Sequence, residues 1–130
     1  MTTELFYLSL TIVLTAVLWV PYILNMIMVR GLIDAVGYPE DPEPMASWAS
    51  RMKAAHSNAI ENLVIFAGLV LVANAMELSS TATQMSCMVY FWARVIHAVA
   101  YTAAIPWVRT LAFAVGFLSQ LCIAWQILTV

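Results

Sequence analysis

Charged side chains are scarce in this chain. Asp, Glu, Lys and Arg make up 9% of its 130 residues, against about a quarter in a soluble domain. The five basic residues form no run, the net charge is −2, and no motif of a groove-reading module occurs, which excludes nucleic acid as a partner. Cysteine is nearly absent. Cys87 and Cys122 both lie in apolar segments, with neither metal-ligand spacing nor a secreted disulfide framework, so they read as small buried hydrophobes. No Ser or Cys stands beside a base at catalytic spacing. An enzyme made from this chain therefore takes its nucleophile from a bound cosubstrate. The N-terminus, MTTELFYLSL, has no basic residue before the first apolar run and no small-residue cleavage site close behind it, so that run is expected to stay in the mature protein. There is no tandem repeat and no low-complexity segment, and a single domain over residues 1–130 is expected.

Apolar residues are what the chain has in abundance: 64% of the total, with mean hydropathy +0.91. The fold class is an all-α polytopic membrane protein, a four-transmembrane-helix bundle. About 20 apolar residues cross a bilayer, and spans are expected near 5–29, 58–76, 83–104 and 108–128. Pro21 should kink the first, and Asn25 beyond it reads as an interhelical amide. The one long loop, Gly31–Pro44, contains GYPEDPEP; its acids read as solvated, since the prolines give no geometry that would converge Glu40, Asp41 and Glu43 on a metal. A helix restarts near Pro44 and enters the bilayer at about Asn58. Glu77–Thr81 and Ile105–Trp107 are short connections. Four spans put both termini on one side, and Arg30, Arg51, Lys53 and Arg109 fall on the other. The positive-inside rule then makes the long loop and the Pro106 turn cytoplasmic and turns both termini away from the cytoplasm. Trp19, Trp48, Trp107 and Trp125 lie near predicted span ends, as interface aromatics do. Ala112 and Gly116 form a small-xxx-small pair that suits close packing of the last helix.

A few polar groups interrupt this apolar background. Glu61 and Asn62 sit at the mouth of the second span, where an unpaired carboxylate costs about 3 kcal/mol. Arg94, in the third span, and Arg109, at the start of the fourth, are the cations that could meet Glu61. Arg94, His97 and Tyr101 are spaced i, i+3, i+7 and share one face, with Tyr90 extending the stripe. Arg94 lies roughly 15 Å below Ala104 at 1.5 Å per residue, deep enough that it should face the bundle interior and pair. On the second helix Asn58 and Asn62 share a face with Arg51; Glu61 lies on an adjoining stripe, and His56 and Lys53 point away. Arg109 is a cation at a helix N-terminus, the unfavourable end of the macrodipole, which suits the binding of an anion alongside the free N–H groups of that end. Glu61, Arg94, Tyr101 and Arg109 together suit a polar anionic ligand entering from the cytoplasm beside an apolar substrate in the lipid. As a purely structural set they would glue helices together.

AHSNAIEN (55–62), ARVIHAVAY (93–101) and PWVRTLAF (106–113) resemble the MAPEG superfamily, the membrane-associated proteins in eicosanoid and glutathione metabolism, and in particular its small bacterial inner-membrane members. The likeness spans nearly the whole chain. It implies a homotrimer of four-helix subunits with glutathione bound between neighbours, open to the cytoplasm. Carried over by motif, Asn58 and Glu61 would contact the glutathione backbone. Arg94, His97 and Tyr101 would line the site, Arg51 would add to a basic rim, and Arg109 would be the catalytic residue stabilising the thiolate. A thiol titrates near about 8.5, and a neighbouring cation lowers that value. The thiolate could then attack a lipophilic electrophile arriving from the bilayer or reduce a lipid hydroperoxide. Relatives often carry arginines where this chain has Ala54 and Ser57, which weakens the hold on the glutathione carboxylates. The family also includes a non-catalytic lipid-binding member, so a lipid-binding or scaffolding protein is the alternative. A channel ranks last, because it needs a continuous polar path and the outward half of every span is almost wholly apolar.

Overall fold

The computed structural model describes residues 1–130 as helices joined by short connections. The first rod is α1 (Thr3–Val17) followed directly by α2 (Trp19–Arg30). Thr2 caps its start, its hydroxyl accepting the N–H of Leu5. The break between α1 and α2 falls at Leu18, where Pro21 has no N–H to give the carbonyl of Val17 and its ring pushes that carbonyl aside. Helix α2 ends at Gly31, whose φ of +80° is a conformation that glycine adopts without steric cost. The loop expected over Gly31–Pro44 holds one turn of helix, α3 (Leu32–Val36), before the chain becomes irregular. Arg30 Nε donates to the carbonyl of Glu43 at 2.7 Å, which closes the loop back onto the rod.

Helix α4 (Ser47–Ala75) begins three residues beyond Pro44, which leaves that proline outside the helix and not in its first turn. Asn25 Oδ1 accepts the N–H of Ala46 at the N-cap of α4, 3.0 Å away, so the interhelical amide expected of Asn25 ties α2 to the start of α4. Helix α5 (Thr81–Thr102) opens with a capping box between Ser80 and Thr83, which satisfies two otherwise orphaned N–H groups. Its end is set by Ala104 at φ 60°. Helix α6 (Pro106–Leu128) starts on proline, whose missing N–H is harmless at a first helical position.

The α1–α2 rod, α4, α5 and α6 run alternately up and down as a four-helix bundle. Three of the rods are long and apolar enough to cross a membrane: Thr3–Arg30, Ser47–Ala75 and Pro106–Leu128. The fourth, α5, carries Thr83, Gln84, Ser86, Arg94 and His97, and these lower its hydropathy. It packs against α1, α4 and α6, so most of those polar groups are sheltered by protein. Only 26 of 130 residues are buried, and large apolar side chains such as Val64, Leu111 and Leu118 are exposed, which is the surface a bilayer covers.

The core is a cluster of Leu8, Phe66, Val70, Cys87, Tyr90 and Ile123, with the Phe66 and Tyr90 rings stacked at 3.9 Å between centroids. Cys87 is buried and unpaired there. Gly116 faces the Tyr90 ring, and an added Cβ would stand 3.7 Å from it, an ordinary contact. Gly116→Ala should therefore leave the melting temperature in detergent nearly unchanged. Gly116→Leu should overpack the α5–α6 seam at a cost of about 1–3 kcal/mol; equal melting temperatures for the two variants would show that the seam is loose.

Candidate functional site

The end of the bundle where α4 and α6 begin and α5 finishes gathers three of the sequence-predicted residues. Arg51, Tyr101 and Arg109 line one hollow of about 180 Å³, closed by Ala100, Ala104, Ile105 and Pro106. The tight α5–α6 connection forces this proximity, because Ala104 in the left-handed region and Pro106 at the helix start bring Arg109 back over the last turn of α5. The Arg109 guanidinium lies 4.9 Å from the centroid of the Tyr101 ring, within cation–π range. Arg51 is held differently: its Nε donates to the carbonyl of Thr102 at 2.9 Å, leaving its terminal nitrogens for the hollow. Two guanidinium groups and a phenol face a space whose walls include no carboxylate. Such a place favours an anion.

A second group lies deeper. Arg94 is 4% exposed, and its Nη2 donates to Asn58 Oδ1 at 2.8 Å. Asn62 Nδ2 donates to the Asn58 carbonyl, and Gln120 Nε2 donates to the Asn62 carbonyl, so α4, α5 and α6 are joined at this level. The Arg94 Nε and His97 Nδ1 atoms are buried and make no hydrogen bond within the protomer. His97 stands edge-on to Tyr101 at 5.6 Å and links the two levels along the i, i+3, i+7 stripe of α5.

The expected meeting of Glu61 with Arg94 does not occur within the protomer. Arg94 binds the neutral amide of Asn58, while Glu61 is exposed on the outside of α4. The cause is helical phase: three residues beyond Asn58, Glu61 is turned about 60° off the stripe that faces α5. His56 is tied within the protomer, its Nδ1 lying 2.7 Å from Tyr22 Oη, a contact that stitches α4 to the segment just past the kink. Sequence reasoning overlooked Glu4. It is buried, and its Oε1 accepts from Thr83 Oγ1 at 2.6 Å and from Ser79 Oγ at 2.9 Å. The only signal for it was a lone acid opening an apolar rod.

Beside the basic hollow runs an open apolar groove of about 380 Å³ between α5 and α6. Its walls include Trp92, Ile96, Val108 and Leu111, and Val108 adjoins Arg109 in the chain. The bundle thus offers an ionic chamber and a lipid-facing trough along the same helix.

The MAPEG family profile matches residues 8–129, from the first rod to the end of the fourth. The chain belongs to the MAPEG family. Microsomal glutathione S-transferase 1 of Mus musculus is 33% identical over 79 residues, which cover 60% of this MAPEG protein and 51% of the mouse enzyme. The chain thus spans about half the length of the curated relative it matches. No solved structure matches it. MAPEG membership and the apolar rods make it an integral membrane protein.

Proposed function

We propose that this MAPEG protein is a membrane-embedded, glutathione-dependent transferase or peroxidase acting on lipophilic electrophiles or lipid hydroperoxides. The observation that carries this is the hollow where Arg51 and Arg109 converge with Tyr101 beside a wholly apolar groove. An anionic thiol compound and a water-insoluble acceptor would each find a matching surface. The likeness to a glutathione S-transferase supports glutathione as the thiol. In conjugation, the thiol would release its proton to water and the thiolate would form a bond to an electrophilic carbon as the leaving group departs with its electron pair. In peroxide reduction, two glutathione molecules are oxidised to the disulfide while the hydroperoxide becomes an alcohol and water. Arg109 would hold the negative sulfur, Arg51 a glutathione carboxylate, and Tyr101 would fix the Arg109 guanidinium. Arg94, Asn58 and His97 lie outside the walls of the hollow and would act from the level below it, Arg94 held by Asn58.

The active unit is proposed to be a homotrimer. Glu61 is exposed on an apolar rod, and a carboxylate in that position is stabilised by a neighbouring subunit and its ligand. We place the protein in a bacterial inner membrane, with both termini away from the cytoplasm and the basic hollow open towards it, following the distribution of Arg30, Arg51, Lys53 and Arg109.

Titrating glutathione into the detergent-solubilised protein is expected to raise its melting temperature, as a ligand of the folded state must. Glu61→Gln and Arg109→Ala should both reduce the shift. No stabilisation at millimolar glutathione would count decisively against the proposal. The same outcome, with lipid co-purifying and no conjugation of an aryl halide, would favour a non-catalytic lipid-binding or scaffolding protein. The uncharged Ala54 and Ser57 speak for that alternative.

A further inference from the structure

At the opposite end of the bundle lies a second polar hollow, unconnected with the chemistry above. It encloses about 240 Å³ and is lined by Thr2, Glu4, Asn74, Glu77, Leu78 and Ser79, so five of its six walls carry side-chain oxygen. Glu4 is 4% exposed. Its Oε1 accepts from Thr83 and Ser79, yet its Oε2 is buried with no partner. Within the protomer no side chain or backbone group reaches that atom. Ionisation leaves a buried negative oxygen without a donor, which costs several kcal/mol.

The N-termini of α1 and α5 offset part of the charge, since Glu4 lies in the first turn of one and bonds to Thr83 in the first turn of the other. No protein cation pairs with it: Arg30, Arg51, Lys53 and Arg109 belong to the other end, Arg94 is bonded to Asn58 in the interior, and the exposed amino terminus at Met1 makes no bond to Oε2. Instead, a second carboxylate, that of Glu77, lines the same hollow. Its backbone sits at φ +55°, which is unusual for a residue with a side chain. Two carboxyl groups share a space with the neutral oxygens of Asn74, Ser79 and Thr2.

We propose that this hollow binds one oxygen-preferring divalent cation, of the class of Ca²⁺ and Mg²⁺, with Glu4 and Glu77 as charged ligands. Such ions take carboxylate, amide and water oxygens in irregular shells of six to eight for Ca²⁺, and keep several waters in the case of Mg²⁺. A water occupies about 30 Å³, so the hollow has room for the ion and the waters that complete its shell. The set contains no His or Cys, which argues against zinc and softer metals. Bound there, the ion would join the start of α1 to the α4–α5 turn.

The test is isothermal titration of Ca²⁺ and Mg²⁺, separately, into the full chain in detergent after chelator treatment, with melting temperature measured in parallel. One saturable site per chain and a cation-dependent rise in melting temperature are expected. Glu77→Gln should weaken binding at least tenfold while leaving the response to glutathione unchanged. Glu77 is exposed and its replacement keeps the fold; Glu4→Gln is the second variant and should abolish the site. Ethanolamine serves as a probe for the ammonium of a lipid headgroup. Binding of ethanolamine without either metal would overturn the metal assignment, as would no binding of either ion up to about 10 mM, or metal binding unaltered by Glu77→Gln.

Discussion

Replacing Arg109 by alanine is expected to abolish the ultraviolet thiolate signal of bound glutathione and to lower turnover of an aryl halide by about 10²–10³-fold, or roughly 3–4 kcal/mol. The size follows from what surrounds this guanidinium. It makes no hydrogen bond inside the protomer and rests 4.9 Å over the Tyr101 ring, so its charge is available to a ligand. Arg51 cannot take its place, because Arg51 is fixed to the carbonyl of Thr102. Removing Arg109 should cost the fold only the cation–π contact, about 0.5–1 kcal/mol at a half-exposed site. Catalysis and stability therefore separate: turnover falls steeply and the melting temperature barely moves. Arg109→Lys should recover part of the thiolate signal, since a point charge survives without the planar fork. A full thiolate signal in Arg109→Ala would remove Arg109 from the chemistry.

The second large effect is on stability. Asn58→Ala leaves the Arg94 guanidinium in the bundle interior without its one acceptor. Loss of a hydrogen bond to a buried charged group should destabilise the protein by about 2–3 kcal/mol. Arg94→Met alone also loses the bond but leaves no orphaned charge. In the double variant the buried charge and its partner are both gone, and the combined loss should fall short of the sum of the singles by about 1–3 kcal/mol. Reversible unfolding in a denaturing detergent measures all three. Strict additivity would show that Arg94 has another partner in the assembled protein.

Helical periodicity and the predicted span ends were sufficient to bring Arg51, Tyr101 and Arg109 to one end of the bundle, because each lies within a few residues of a helix terminus. Terminal positions are set by turns, and the Pro106 turn is legible. The same periodicity put Asn58, Asn62 and Arg51 on one face of α4, and the Asn58–Arg94 bond uses that face. It could not choose between Asn58 and Glu61 as the partner of Arg94. That choice depends on how α4 is rotated against α5, which is a matter of packing between residues far apart in the chain. Charge alone favoured Glu61, and rotation overruled it. The kink at Leu18 was foreseeable from Pro21, whereas the one-turn helix α3 within the loop was not, since its five residues carry too little pattern to distinguish it from coil. Glu4 escaped notice for a related reason: its meaning comes from Thr83 and Ser79, 79 and 75 residues later in the chain.

That separation has a bearing on biogenesis. A ribosome adds about 5–20 residues per second, so the 79 positions between Glu4 and Thr83 take about 4 to 16 s to synthesise. Throughout that interval the nascent first rod carries an acid whose hydroxyl donors have not yet been translated. The leading hairpin must therefore wait at the translocon, or keep its tip hydrated in the aqueous phase, until the third rod emerges to receive it.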